Sequence, residues 1–576
     1  MHIIPSRPTH PCRLASLLAA IMLLPVGLLS AQVVTVPTTP QIGSSNPVTA
    51  APLVSRPSTQ PCVVQLFSNL EFADFTPKVF SYTPPANCPG PWAKVVFTAD
   101  FTVTMGRQFD RTAAFYLGHA SIYYGTTAEP RHNLSPSWHV ERDVTDLSAI
   151  FKSDQTGEAN IGNFVGVSGG VTYDGLIYSS AALEFYPASP HNPAPRVPDI
   201  VVPVNGAGGD AGTLNTTTDS ISQTLNLPMN VEQVYLDVIA QNQHDDEFFY
   251  FNVPNDQVAN LESYGGTAFR ETEISIDGTP AGVAPVYPWI FTGGVDPYWW
   301  EPITGNQTLD FKPYRVDLTP FAALLSDGNP HTVAISVFNA DSYFLATANL
   351  LVYTDHGKSR VNGMVTTNTL SSAPTPVVIE NIAANSNGSY TGSISDESNR
   401  SFTISGFVNT SHGHVVTTVQ ERVHFINTQE FDVNPGTGIP DDQDAQQDTT
   451  VDSLTSTQQG NVVTSHEERF DYPLTMNYSF IYSPDYTTGV QTASVQQGYK
   501  LDVVDGLFGH PIYTSRTSEN TSASDTLNFD FVAGTDTPSN PQTTQTYSFH
   551  DSLGRCYSET LTAANSVLTG VTNNCH

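Results

Sequence analysis

The chain has 576 residues, of which only 13% are Asp, Glu, Lys or Arg, and its formal net charge is −33. Acidic residues outnumber basic ones 55 to 22, which argues against nucleic acid or an anionic membrane surface as a partner. Thr, Ser, Asn, Gln and aromatic residues are abundant, so we expect an all-β protein, with room for about three or four domains. The acid excess also suggests activity in acidic surroundings, where fewer carboxylates repel one another.

The first 31 residues are typical of a secretory signal peptide. Arg7 and Arg13 precede an apolar run at 14–29, and the small residues Ser30 and Ala31 follow it. A retained membrane anchor is the alternative interpretation. We therefore expect a secreted or periplasmic protein that has no membrane partner after signal cleavage.

Signal cleavage would remove Cys12 and leave an even number of cysteines, which suggests two disulfides in an exported protein. Each close pair of the remaining cysteines lies near one end of the mature chain. We therefore predict the disulfides Cys62–Cys88 and Cys556–Cys575, and a thiol catalyst becomes improbable.

The rest of the chain divides by composition and periodicity. Residues 32–60 are rich in Pro, Thr, Ser and Val without periodicity, which is typical of an extended leader. Alternating apolar and polar residues predict strands in a first domain at 61–187, and a Pro-rich linker at 188–205 separates it from a second domain at 206–356. Residues 357–576 continue the β pattern and are expected to form a C-terminal accessory β domain.

The second domain repeats the order of features in the first. Segments 143–145 and 317–319 each read Asp-apolar-Thr before a short apolar helical turn, with the threonine as the expected N-cap. Upstream, residues 109–111 (Phe-Asp-Arg) correspond in order to residues 269–271 (Phe-Arg-Glu). We expect two β-sandwich domains of one design, packed side by side, with the functional site in the cleft between them.

Asp110 and Arg111 stand between two predicted strands, at the point where the chain re-enters a sheet. An ionisable pair at the end of a sheet, beside a core, can be held in place and still be reached by solvent. The alternative is a salt bridge that closes a β-turn, which is the commoner role of such pairs.

A second cluster of charged and aromatic residues follows the predicted strand at 234–240. His244, Asp246 and Glu247 stand there with Asp245, directly before the aromatic segment 248–250. Neighbouring carboxylates raise one another's pKa, which suits one of them to proton transfer. A solvated acidic turn or a calcium loop is the alternative.

An aromatic segment at 287–302 places Trp289, Trp299 and Trp300 around a Gly-Gly step. If these rings are exposed, they offer flat faces to sugar rings, and if they are buried, they are ordinary core. The sequence leaves both roles open.

Common cofactor and metal motifs do not occur in the sequence. We find no CxxC, HExxH or dinucleotide fingerprint, so we expect neither a cofactor nor a metal ion. Residues 440–448 are acidic but lack the glycine and closing glutamate of a calcium loop, so we expect a solvated, irregular excursion. The remaining chemistry fits cofactor-free hydrolysis or carbohydrate binding.

Several segments together carry a family resemblance: GRQFDRTAAFYLGHASIYYGTTAEP, WHVERDVT, HDDEFFYFN, AFRETEISIDG, FTGGVDPYWWEP, VDLTPFAALL, TISGFVNTSHGHVVTT and DSLGRCYSETLTAAN. They resemble the peptide-N-glycosidase A type of glycoamidase. The Asp-Arg step is more distantly similar to that of PNGase F-type bacterial enzymes, which are built from two adjacent jelly rolls. The resemblance implies two jelly-roll domains and hydrolysis of the amide bond between the innermost N-acetylglucosamine and asparagine in N-glycosylated peptides and glycoproteins.

The resemblance also implies roles for single residues. Asp110 matches the primary catalytic aspartate, which would act as general base, and Arg111 matches its neighbouring arginine. Glu247 is the candidate for a second acid that positions the sugar or protonates the leaving amine. If the alignment is anchored on Arg270 instead, Glu271 is the nearest replacement, and a third acid of the PNGase F-type enzymes has no match.

Other side chains complete the expected site. Arg111 or Arg270 would stabilise the developing oxyanion. The expected substrate contacts are His244, Asp246, Trp289, Trp299 and Trp300.

Two other functions remain open. A glycoside hydrolase would also use two carboxylates but would cleave sugar from sugar. A secreted β-protein that binds glycans without turnover would explain the aromatic residues and the export. In each case we expect a monomer without a nucleic-acid partner.

Overall fold

A computed structural model describes residues 36–436 and 441–575. Nearly all regular structure in this part of the chain is β-strand, so the all-β fold class is confirmed. The jelly-roll topology and the domain boundaries stay predictions. The signal peptide expected at 1–31 and the start of the expected leader lie outside the described residues.

The first ten strands form what we call the first sandwich: β1 (Cys62–Phe72), β2 (Lys78–Tyr82), β3 (Trp92–Val103), β4 (Thr112–Leu117), β5 (Ala120–Thr126), β6 (Ser137–Asp143), β7 (Gln155–Ile161), β8 (Gly166–Ser168), β9 (Val171–Tyr173) and β10 (Ile177–Pro187). One antiparallel sheet has the order β1-β10-β3-β6 and the facing sheet the order β2-β7-β4-β5. The alternation in β3 buries Phe97 and Phe101, whose rings pack on Phe115 of the facing sheet.

The next nine strands form the second sandwich: β11 (Ile200–Val204), β12 (Gly212–Leu214), β13 (Ile221–Leu225), β14 (Val231–Gln243), β15 (Glu271–Ile276), β16 (Thr279–Pro285), β17 (Tyr314–Asp317), β18 (His331–Phe338) and β19 (Tyr343–Thr354). Its sheets have the orders β11-β19-β14-β17 and β13-β18-β15-β16. These orders repeat those of the first sandwich, in agreement with the repeat that the sequence predicts. The exceptions are β12, which also pairs with β19, and β8 and β9, which pair only with each other.

Helical structure is limited to short turns: 3-10 helices at Thr145–Leu147, Ile150–Lys152, His244–Asp246, Phe249–Phe251, Pro297–Trp300 and Thr319–Phe321, and α-helices α1 (Val258–Leu261) and α2 (Ala322–Leu325). Among the described residues, no helix has the length and hydrophobicity needed to cross a membrane.

The predicted threonine N-caps are wrong, because Thr145 and Thr319 are themselves the first helical residues. Each threonine N–H instead donates to the aspartate two residues earlier, Asp143 at 3.0 Å and Asp317 at 2.9 Å. Each threonine hydroxyl accepts a backbone N–H from the neighbouring strand, β3 in one sandwich and β14 in the other. The repeated Asp-apolar-Thr segment thus ties its helical turn to the equivalent strand in both sandwiches.

The C-terminal region forms what we call the C-terminal sheet: β20 (Gly363–Asn368), β21 (Val377–Ala384), β22 (Tyr390–Thr410), β23 (Gly413–Val433), β24 (Asp442–Gln459), β25 (Val462–Asp471), β26 (Leu474–Tyr482), β27 (Thr488–Leu507), β28 (His510–Asp530), β29 (Thr535–Asp551), β30 (Cys556–Ala564) and β31 (Val567–Asn573). The strands pair antiparallel, and most follow one another in chain order. One core cluster joins this sheet to the second sandwich.

The prediction of an irregular acidic excursion at 440–448 is wrong. Residues 442–448 lie in β24, paired with β23 on one side and, as far as Gln447, with β26 on the other. Gln443, Ala445 and Gln447 are buried, whereas Asp444 and Gln446 between them are more exposed. The error has a physical reason: glutamine amides fill the buried positions by hydrogen bonding, so the strand shows no apolar alternation.

Both predicted disulfides, Cys62–Cys88 and Cys556–Cys575, are confirmed. The first links the start of β1 to the loop before β3. The second links the start of β30 to the segment after β31.

The described part of the expected leader, residues 36–60, packs along other elements. Its Gly43 N–H donates to the Leu568 carbonyl at 2.8 Å, and the Arg56 guanidinium donates to the Glu141 carboxylate of β6 at 2.7 Å. The leader therefore bridges the C-terminal sheet and the first sandwich.

Buried acids lie where the C-terminal sheet meets the second sandwich. Glu271 at the start of β15 forms an ion pair with Arg400 of β22, and burial raises the pKa of Glu271 to about 7. Burial, with the nearby charge of Glu271, raises the pKa of Glu421 of β23 to about 8. Each of these acids is therefore easier to keep buried with its proton than without it.

We predict that the protein loses stability as pH rises from about 5 to 8. The folded state binds a proton at Glu421 more tightly than the unfolded chain, whose pKa is near 4.5, so this stabilisation is complete below that value and is lost through about 8. The melting temperature should therefore fall by several degrees over this range.

Glu421→Gln should reduce the fall in melting temperature between pH 5 and 8, because the amide cannot ionise. Glu397→Gln, at an exposed position on β22, should leave this fall in melting temperature unchanged. A melting temperature that stays constant or increases from pH 5 to 8 would contradict the prediction.

Candidate active site

Asp110 lies in the loop between β3 and β4, at one end of the first sandwich. Its Oδ2 accepts a hydrogen bond of 3.0 Å from the Gly293 N–H, which belongs to a loop of the second sandwich. Burial raises the pKa of the half-buried Asp110 carboxyl above its ordinary value, while the Gly293 N–H and the Arg111 charge oppose the rise. The aspartate therefore stands at the junction between the sandwiches.

Two further carboxylates lie close to Asp110. Glu129, in the loop after β5, accepts the Asp110 backbone N–H at 3.1 Å, and burial with the Asp110 charge raises the Glu129 pKa to about 7. Glu247 follows the 3-10 helix at the end of β14, and burial with the charges of Asp110 and Glu129 raises its pKa to about 8. The charges of Asp110 and Glu129 thus act on Glu247 of the second sandwich, and we call these three acids the acid cluster.

The backbone of Gly293 packs so closely against the acid cluster that a side chain at this position would not fit. A Cβ at this position would lie 2.1 Å from Glu129 Oε2 and 3.0 Å from Asp110 Cγ. The Trp300 indole N–H donates to the Gly294 carbonyl at 2.9 Å and so holds the loop against the cluster. Only glycine lets the backbone N–H approach the Asp110 carboxylate this closely.

Arg111 is buried directly beside Asp110. Its guanidinium lies over the Phe109 ring, 4.0 Å from the centroid, and Nη1 donates to Gln108 at 3.2 Å. Nε and Nη2 have no hydrogen-bond partner among the described residues. Burial lowers the pKa of Arg111 to about 10, although the charges of Asp110 and Glu129 oppose the change. Arg111 therefore places a cation beside Asp110, with two donor nitrogens that bind no described residue.

Asp246 and Arg270 form a fully buried ion pair with Oδ1 contacts of 2.7 and 3.0 Å. The remaining donors of Arg270 bind backbone carbonyls, and Asp246 Oδ2 accepts the N–H groups of Asp341 and Ser342. Neither side chain is free to contact a substrate. The pair instead pins the turn from which Glu247 projects to the start of β15 and to the loop before β19.

The side chains of two other expected site residues have partners outside the acid cluster. Glu271 is engaged with Arg400 at the C-terminal sheet. His244 is exposed, and its Nδ1 contacts Asp245 at 2.6 Å and the Ser342 hydroxyl at 2.9 Å. Nothing in these contacts brings either residue to Asp110.

The three tryptophans expected to contact a substrate are buried in the structure. Trp289, Trp299 and Trp300 are 4%, 0% and 2% exposed, so their rings offer no free face to a sugar. Trp289 packs against Phe311, with ring centroids 4.6 Å apart. Of the two roles that the sequence leaves open, sugar contact and core packing, this burial fits core packing.

Glu129 and Gly293 are not predicted as site residues from the sequence. Glu129 falls in the segment GTTAEP, inside the motif that carries the family resemblance, directly after the wholly buried strand β5. A carboxylate at the end of a buried strand was the available signal. Gly293 was noted only as part of a loop, since no local pattern shows which N–H reaches across to another sandwich.

Metal-ligand geometry does not occur in the described part of the chain. Within residues 36–436 and 441–575, no group of three or more His, Cys, Asp or Glu side chains could hold a metal ion. This result includes the carboxylates of the acid cluster.

Comparison with known proteins gives a family match. Residues 52–371 match the family described as peptide N-acetyl-beta-D-glucosaminyl asparaginase amidase A. The chain is 29% identical over 398 residues to the peptide-N4-(N-acetyl-beta-glucosaminyl)asparagine amidase A of Prunus dulcis, a match that covers 65% of this chain and 67% of that protein.

Solved structures give more distant matches. PNGF-II aligns with a TM-score of 0.35 and 14% identity, over 52% of this chain and 66% of its own. PNGase F from Flavobacterium meningosepticum, described as a glycosylasparaginase, aligns with a TM-score of 0.33 and 12% identity, over 51% of this chain and 96% of its own.

We predict that Asp246→Asn destabilises the second sandwich by about 3–5 kcal/mol, because the amide leaves the Arg270 charge buried without a counter-charge. Urea unfolding followed by tryptophan fluorescence would measure the change, since Trp289, Trp299 and Trp300 are buried in the folded protein. The neighbouring Asp245→Asn should change stability by less than about 0.5 kcal/mol. Equal effects of the two substitutions would mean that the buried pair is not the cause.

Proposed function

Since this chain belongs to the peptide N-acetyl-beta-D-glucosaminyl asparaginase amidase A family, we propose that it is a glycoamidase that acts on N-glycosylated peptides and glycoproteins. It hydrolyses the amide bond between the innermost N-acetylglucosamine and the asparagine side chain. The reaction releases the glycan and leaves aspartate in the peptide.

The observation that carries this proposal is the acid cluster between the sandwiches. Asp110, Glu129 and Glu247 come from separate loops, yet the Asp110 charge raises the pKa of Glu129, and the charges of Asp110 and Glu129 raise that of Glu247. Structural carboxylates are rarely brought together unpaired, because each buried charge makes the next one more costly. Such clusters are typical of sites that move protons.

The surroundings of the three acids support a division of roles. Burial raises the pKa of Asp110, but the aspartate accepts an N–H bond and lies beside the Arg111 cation, both of which favour its ionised form. Glu247 and Glu129 have pKa values of about 8 and 7, so both keep their protons in mildly acidic solution. Environments that separate the pKa values of neighbouring acids provide one base and one acid at the same pH.

In the proposed reaction Asp110 removes a proton from water as the water oxygen attacks the asparagine side-chain carbonyl. Arg111 stabilises the oxyanion, since its Nε and Nη2 are not otherwise engaged among the described residues. Glu247 donates its proton to the leaving amine as the C–N bond breaks. The products are a carboxylate on the peptide and a glycosylamine, which water converts to free sugar and ammonia.

The assignments of Arg270, Glu271, His244 and Asp246 to the site receive no support from their contacts. Arg270 has its donors engaged by Asp246 and by backbone carbonyls. The oxyanion role, which the sequence left between two arginines, therefore falls to Arg111 in this proposal.

We also propose that the mature protein acts as a monomer outside the cytoplasm, secreted or in the periplasm. Its two disulfides support this location, because such bonds persist in oxidising compartments.

We predict that Asp110→Asn lowers kcat by at least about 100-fold, because the amide keeps the shape of the side chain and removes the base. A defined N-glycopeptide provides the assay, with the peptide mass recording conversion of asparagine to aspartate. Asp154→Asn, at an exposed position of the first sandwich, should leave the rate unchanged. A sugar-to-sugar cleavage, which leaves N-acetylglucosamine on the asparagine, would instead indicate a glycoside hydrolase.

We predict that kcat/KM falls as pH rises through about 7 to 8. Glu247 has its pKa raised to about 8, so the protonated form that donates to the amine is present below that pH and is lost above it. Glu247→Gln should be slower and should lack this alkaline limb. A limb that persists unchanged in Glu247→Gln would assign the titration to another group.

A further inference from the structure

A cavity of about 760 Å³ opens beside the acid cluster, between the second sandwich and the C-terminal sheet. Phe248, Phe251 and Tyr264 line it from the sandwich, and Gln443, Tyr478 and Gln491 line it from the sheet. Its volume lies within the range of ligand sites and leaves room for more than one sugar ring. The proposed reaction at Asp110 leaves this space unused.

The cavity adjoins two segments that carry the proposed reaction centre. Gly293, whose N–H holds Asp110, forms part of its wall, and Phe248 directly follows Glu247. Glu247 is the proposed proton donor to the leaving amine, and that amine carries the glycan. The cavity wall therefore includes the residue next to the proposed proton donor and the glycine that holds the proposed base.

The C-terminal sheet also holds the loops that carry the acid cluster. Gln443 of β24 donates to the Phe251 carbonyl at 3.0 Å, and Gln491 of β27 donates to the Val295 carbonyl at 3.4 Å. The wall formed by the sheet is thus fixed relative to the loops of Glu247 and Gly293.

The walls combine aromatic rings with carboxamide side chains. Tyr264 is 50% exposed and Tyr478 is half-buried, so both rings keep surface free toward the space between them. Aromatic faces pack on the C–H faces of sugar rings, and a tyrosine hydroxyl can bind at the ring edge. This composition favours an oligosaccharide as the occupant.

A peptide fits the same wall less well. Peptides commonly bind to a sheet by adding a strand to a free edge. The strand that carries Tyr478, β26, is already paired with β24 on one side and with β27 on the other. The wall therefore offers side chains to a ligand, and its backbone groups are already engaged.

We propose that the C-terminal sheet forms one wall of a subsite for the sugars beyond the innermost N-acetylglucosamine, with Tyr478 and Tyr264 contacting their ring faces. This inference rests on the proposed glycoamidase activity and gives the C-terminal region a role in substrate choice. The enzyme then recognises an extended N-glycan by two elements, one in the second sandwich and one in the sheet.

The test compares two substrates that share one peptide, one with a single N-acetylglucosamine and one with the trimannosyl-chitobiose core. The wild-type enzyme should have the higher kcat/KM on the longer glycan. Tyr478→Ala and Tyr264→Ala should each reduce this preference by about fivefold to tenfold, as expected for the loss of one ring contact. Tyr486→Ala, an exposed tyrosine of the same sheet that does not line the cavity, should keep it.

A preference that stays unchanged in both Tyr478→Ala and Tyr264→Ala would overturn the subsite. So would a loss that depends on peptide length but not on glycan length, because the cavity would then hold the peptide. If Tyr478→Ala does not fold, Tyr264→Ala decides alone, since its side chain lies at the surface.

A second measurement separates this inference from the proposed activity. Calorimetry with the free trimannosyl-chitobiose oligosaccharide and the Asp110→Asn protein reports binding without turnover. Binding that weakens in Asp110→Asn/Tyr478→Ala supports the subsite even if the wild-type protein converts neither glycopeptide, a result that would remove the glycoamidase proposal alone. Equal binding to both proteins would overturn the subsite alone.

Discussion

The hydrogen bond from the Gly293 N–H to Asp110 Oδ2 is the contact on which the acid cluster depends, because it joins the two sandwiches at the proposed base. A glycine is required there, since any side chain would collide with the carboxylates of Asp110 and Glu129. The Trp300 indole holds the glycine loop from behind. The tryptophan that looked suited to bind sugar thus serves the site from the core, through one backbone carbonyl.

Burial of protonated carboxyl groups is a second constraint that links the site to the rest of the molecule. Glu129 and Glu247 at the acid cluster, and Glu271 and Glu421 at the C-terminal sheet, all have pKa values raised to about 7 or 8 by burial. Removal from water penalises the charged form in each case. We therefore expect the proposed chemistry and the packing of this acid-rich chain both to favour mildly acidic conditions, the direction that its composition suggests.

Local sequence patterns predicted much of the architecture but only part of the site. The alternation around Phe97, the repeated Asp-apolar-Thr segments and the disulfide pairs each depend on near neighbours in the chain. Asp110 and Glu247 were recognisable because they stand at strand ends in motifs shared with a family. The sequence does not predict Glu129, and it makes Arg270 a candidate for chemistry although the donors of Arg270 bind Asp246 and backbone carbonyls. Hydrogen-bond engagement of that kind involves residues distant in sequence, so no local pattern reveals it.

The sequence by itself determined the all-β class, the doubled sandwich design, the cysteine pairing and the family, because period, composition and motif are properties of short stretches. Only the tertiary structure decided which acids meet, which tryptophans are buried and where the C-terminal sheet packs. Those outcomes depend on loops from different sandwiches reaching one point and on whether water is excluded there. Water exclusion decides which carboxyl groups keep a proton, and it is a property of the packed protein, absent from any single segment.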